Sequence, residues 1–230
     1  MSSARTESRI SIAATTRARA AIAVVAPTVL VTAFVLHPDV GNPADSGFTA
    51  AIAQAVAADK MRWAIAHLAV AIGSGLLILA FLAVRSYLHD AGEDRWSVVG
   101  LPFIVMGSTL FALLPAFEFA PLAAAEAGFD LAGIRACQDA LRTWFVPILV
   151  LGGLTFLVGT LAFAAAVARS GVFSRRMTTV VVIALVAMAA GRLVPLGRAL
   201  TVGAAMGVVA LWPLAQKMGR LSAGDAPAGP

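Results

Sequence analysis

The chain has 230 residues, 60% of them hydrophobic and only 13% charged, with a mean hydropathy of +0.90. So little polar surface cannot coat a water-soluble globule, which excludes one and points to an integral membrane protein. The net charge of +5 comes with no nucleic-acid-binding module, so it reads as a signature of insertion beside anionic headgroups, and no nucleic acid is expected as a partner.

Residues 1–17 form a basic N-terminal segment, and the first apolar run covers 18–36, with Pro27 inside it as an expected kink. This run is longer than the apolar region of a usual secretory signal, and no small-x-small site follows it closely, so a retained helix is expected. A gap at 37–60 opens with HPDVGNP and ends in FTAAIAQAVAADKMRW, a segment of helical composition that leads into a second run at 61–84. The short loop RSYLHDAGEDRW, with His89 and Asp90 on a solvated surface, connects to a third run at 97–117. A second long gap, 118–141, ends in FDLAGIRACQDALRTW and enters a fourth run at 145–167. Two shorter runs, 178–195 and 199–214, are joined by the tight turn Leu196, Gly197, Arg198, where a re-entrant hairpin is the alternative. The Pro/Gly-rich residues 217–230 read as a disordered cytoplasmic tail.

Each run is near the roughly 20 residues needed to cross about 30 Å of hydrocarbon. Continuous apolar runs, rather than short alternating ones, indicate helices and not a barrel. The expected fold is therefore all-α: a polytopic bundle of six transmembrane helices over 18–216, with short amphipathic helices in the two long external loops.

Eleven of the seventeen basic residues fall on the side of the N-terminus and of every second gap, which places both termini in the cytoplasm. Trp63, Trp144, Trp96 and Trp212 all lie near the ends of runs, where indole rings favour the headgroup layer. Fifteen arginines against two lysines, together with abundant alanine, suggest a GC-rich coding bias and hence a bacterial plasma membrane. The single cysteine, Cys137, rules out an internal disulfide and reads as a small residue on an outer helix. The segments 48–63 and 129–144 align at an offset of 81, Phe with Phe and Trp with Trp. That register suggests either a repeated hairpin or two independent hairpins of shared composition, and it sets His37 opposite Glu118. Gly73, Gly75, Gly152, Gly153 and Gly159 read as points of close helix contact.

Titratable residues within or at the edge of an apolar run are expensive and so become site candidates. Four qualify: His37, His67, Glu118 and Arg192, with Asp59, Arg62, Asp139 and Arg142 above them at the outer side. Each has a structural alternative. Arg192 could snorkel to the headgroups or pair with Glu118, Glu118 could sit among the headgroups, His37 could cap a helix end, and His67 could hydrogen-bond across the bundle. His67 follows Trp63 by four residues, one turn deeper on the same face.

No phosphate-binding loop, Cys-x-x-Cys, GxSxG or HExxH pattern occurs, and no catalytic motif is recognised. The leading expectation is an accessory, structural or small-molecule-binding membrane protein, with the lipid bilayer and a homo-oligomer or larger membrane complex as its partners. The second is a membrane-embedded enzyme or redox protein, holding zinc on His37, His67 and Glu118 or haem between the two histidines. The third is a small-molecule transporter acting as an oligomer.

Overall fold

The computed structural model describes residues 2–194 and 197–224, with side chains for 16–194 and 198–220. Seven helices make up the described residues: α1 Ser2–Leu36, α2 Phe48–Ala58, α3 Lys60–Asp90, α4 Arg95–Glu126, α5 Leu131–Ser170, α6 Arg175–Leu193 and α7 Gly197–Gly224. No strand occurs among them. All but α2 are long and apolar enough to cross a membrane.

The six long helices close into a ring. α1 packs on α3, α3 on α4, α4 on α5, α5 on α6, α6 on α7, and α7 returns to α1. The short α2 lies across one end, mainly against α5 with lesser contacts to α4 and α3. Small residues set the closest approaches. A Cβ on Gly107 would stand 2.5 Å from the backbone nitrogen of Phe156, and one on Gly159 would stand 2.7 Å from that of Ile104, so α4 and α5 touch backbone to backbone. Gly191 and Gly203 do the same for α6 and α7. Gly75, expected at such a contact, has nothing within 4 Å of its would-be Cβ. The outward faces carry large apolar side chains such as Leu79, Leu113, Leu154 and Ile183, all exposed. That distribution suits a hydrocarbon surrounding rather than water.

Several boundaries differ from the sequence expectations. α1 already runs from Ser2, so residues 2–17 of the basic segment are helical and continuous with the first run. α4 continues to Glu126, nine residues past the expected end at 117, because Pro115 and Pro121 are accommodated within it and the stretch around them is alanine-rich. α7 reaches Gly224, so 217–224 are helical where a disordered tail was expected, and 225–230 lie outside the described residues. The expected turn at 196–198 and the end of the fifth run at Pro195 fall partly outside them as well. Both arms of that hairpin, α6 and α7, are full-length candidates for spans.

The two long gaps also part company. In the first, α2 is a separate helix that ends before Asp59, and the Asp59 side chain caps α3 by accepting from Arg62 N at 2.9 Å. In the second, the expected outer helix is simply the start of α5, a continuous 40-residue helix capped at Asp130, whose Oδ1 accepts from Gly133 N at 2.8 Å. At 81 residues past Asp59 stands Ala140, which has no side-chain oxygen to open a new helix, so nothing breaks α5 there. At about 1.5 Å per residue α5 is roughly 60 Å long, twice the hydrocarbon thickness.

Candidate functional site

α1 ends at Leu36, whose carbonyl accepts from Arg62 Nε at 2.7 Å, and the chain then turns across the end of the ring. Arg142 of α5 donates to the Pro43 carbonyl at 2.8 Å and so ties this turn to the far side of the bundle. Beside this turn lies a partly open cavity of about 340 Å³, bordered by all the long helices and by α2. His37, His67, Glu118 and Arg192 all line it, alongside a majority of apolar residues that includes Phe111 and Phe145.

The two histidines meet directly. Their Nε2 atoms are 3.1 Å apart and their ring centroids 4.7 Å apart, although 30 residues separate them in the chain. Each ring is also fixed from its other side: His37 Nδ1 lies 2.7 Å from the Pro38 carbonyl oxygen, and His67 Nδ1 lies 2.7 Å from that of Trp63. A carbonyl only accepts, so both Nδ1 atoms are N–H donors. His67 is buried and His37, one residue beyond α1, is half-buried. Burial, partly offset by the bond to Pro38, holds the His37 imidazole below its ordinary value and therefore neutral at pH 7.

Trp63 supports them from one turn nearer the start of α3. It is fully buried, its ring stands 4.3 Å from that of His67, and its Nε1 donates to the Glu118 carbonyl at 2.8 Å. The expectation that it anchors in a headgroup layer is thus corrected: the indole is buried against His37, His67 and the backbone of α4 at Glu118. Trp144 and Trp212 are exposed.

Glu118 is buried within α4 rather than placed at the end of a span. Its Oε1 accepts from Gln138 Nε2 at 3.3 Å, and its Oε2 has no partner among the described residues. Arg192 is 5% exposed, which excludes snorkelling to the surface. Its guanidinium carbon sits 4.0 Å from the Phe156 ring centroid and 4.6 Å from that of Phe111, and both terminal nitrogens lack hydrogen-bond partners among the described residues. No ion pair joins Arg192 to Glu118. A guanidinium held between two aromatic faces keeps its orientation while its hydrogen-bond donors stay free.

The outer charged residues are occupied structurally. Asp59 and Arg62 cap helix ends, Arg142 holds the turn, and Asp139 pairs with Arg135 at 3.4 Å. No group of three or more His, Cys, Asp or Glu among the described residues could hold a metal ion, so Glu118 does not join the histidines as a third ligand. A bis-histidine haem does not fit either, because the two Nε2 atoms are in direct contact and a porphyrin iron would have to stand between them. Sequence reasoning missed Gln138, Phe111 and Phe156, which carry no charge, and the spacing of Trp63 and His67 was the one signal that linked the indole to the site.

Comparison with known proteins finds no matching family model, no matching curated protein and no matching solved structure.

Proposed function

We propose that this chain is a multi-pass protein of a bacterial plasma membrane, with both termini cytoplasmic, that binds a small and mostly apolar molecule bearing a carboxylate. The cavity lies at the outer-leaflet level in this reading, since the bias of basic residues assigns the opposite end to the cytoplasm. The observation that carries the proposal is Arg192: a buried guanidinium, clamped by Phe111 and Phe156, with both terminal nitrogens unpartnered beside a cavity of about 340 Å³. Such a charge is costly unless something pairs with it, and a carboxylate matches its fork of donors. The apolar walls suit the remainder of an amphiphilic ligand, since small-molecule sites combine apolar lining with a few fixed polar groups.

The test compares medium-chain carboxylic acids with the amides of the same chains, by thermal denaturation of the purified protein in mild detergent. The acids should stabilise the wild type, by about 2.7 kcal/mol at ~100 times the Kd, and the amides should not. Arg192→Gln should erase the difference between acid and amide. Equal stabilisation by both, or an undiminished acid preference in the variant, defeats the proposal.

A further inference from the structure

The two histidines pose a chemical problem that the carboxylate reading leaves untouched. Both Nδ1 atoms are committed as donors, to Pro38 and to Trp63, so in the neutral rings both Nε2 atoms carry lone pairs. Those lone pairs face one another across 3.1 Å. Two acceptors in contact repel, and the arrangement is favourable only when a positive species lies between or beside them.

From this geometry we infer that His37 and His67 form a two-imidazole site for a divalent transition-metal ion of the zinc type, bound through Nε2 of each ring. Nitrogens about 2.0 Å from a tetrahedral ion stand roughly 3.3 Å from each other, close to the separation observed. Metal-binding imidazoles usually donate their second ring N–H to a carbonyl or carboxylate, and both rings here do so. Trp63 adds rigidity: its backbone carbonyl orients His67, its ring backs the imidazole at 4.3 Å, and its own N–H is tied to α4. Because both histidines line the cavity, the coordination positions they leave empty open into it, where water or an oxygen of a bound molecule can complete the shell. A closed structural site would need four protein ligands, so this is an open site.

The site stands on the histidines alone and does not require the carboxylate ligand. Its test uses protein purified on a tag free of histidine, stripped with chelator, and titrated with Zn²⁺ by calorimetry and with Co²⁺ by visible absorption. One ion per chain is expected, with intense Co²⁺ bands of tetrahedral type. His37→Ala and His67→Ala should each weaken binding at least ~100-fold, while Arg192→Gln, which removes a positive charge from the same cavity, should not weaken it and should lose acid recognition. His67 is buried, so where His67→Ala fails to fold, the half-buried His37 decides the matter, with circular dichroism and gel filtration as folding checks. No uptake by the wild type, or uptake retained in His37→Ala, overturns the metal site and leaves a proton shared between the rings as the species that joins them.

Discussion

The α4·α5 seam and the cavity beside it, to which both helices contribute, are built by opposite means. Along the seam, Gly107 and Gly159 remove side chains altogether and the backbones touch. At the cavity, Phe111 and Phe145 line the walls beside the polar groups, and Phe156 stands behind them against Arg192. Phe156 belongs to both regions. Its backbone is what Gly107 packs against, and its ring is the nearer face of the clamp on Arg192. Close packing in one region therefore fixes the position of a charge in the other.

The strongest way to break this pairing is Gly107→Val. A Cβ there would lie 2.5 Å from Phe156 N and 2.8 Å from its Cα, and backbone atoms cannot swing aside as a side-chain end can. The helices would have to part, at a cost of about 3 kcal/mol or more. Thermal denaturation in detergent should show the largest loss of any single substitution considered, and acid binding should weaken with it because the Phe156 face shifts. A variant that melts lower but binds acids normally would uncouple the seam from the site.

How much of this was legible beforehand follows the same division. The apolar runs were readable because crossing hydrocarbon imposes a length and a composition on each helix separately. Arg192 and His67 stood out because a polar group in an apolar run is conspicuous on its own. What sequence could not supply were relations between helices. An indole at the start of a run suits a headgroup layer and a protein interior equally well, and only the packing of His37 and of α4 at Glu118 decides that Trp63 is covered. Phenylalanines face lipid as readily as a guanidinium, so Phe111 and Phe156 carried no mark. The end of α4 was misplaced for a local reason: Pro121 looks like a terminus, yet the alanines around it continue the helix to Glu126.

Trp63→Phe separates a site residue from an interfacial anchor. The substitution keeps an aromatic ring against His67 but deletes the bond from Nε1 to the Glu118 carbonyl, which is buried and 2.8 Å long. The loss should be about 1–2 kcal/mol of stability, the range for a buried hydrogen bond whose partner is left behind. A headgroup anchor would tolerate phenylalanine with little change. If the melting temperature is unaltered, the link from α3 to α4 beside the histidines is not what holds the site end together.

The smallest effect comes from two glycines that lie two residues apart on α3 and were alike in sequence. Gly73 is buried, and a Cβ there would meet Leu30 of α1 at 2.7 Å through the end of a flexible side chain. Gly75 is exposed on the outer face, with nothing within 4 Å. Gly73→Ala should therefore cost stability, by about 1 kcal/mol as Leu30 is displaced from its packing. Gly75→Ala should leave it unchanged or raise it by up to ~1 kcal/mol, because alanine narrows the unfolded chain and favours helix without meeting a neighbour. Opposite signs in matched melts would show that the ring's inner face runs through Gly73 and not Gly75. A cost at Gly75 of the same size would instead mean that this outer face packs against another helix, as it would in an oligomer.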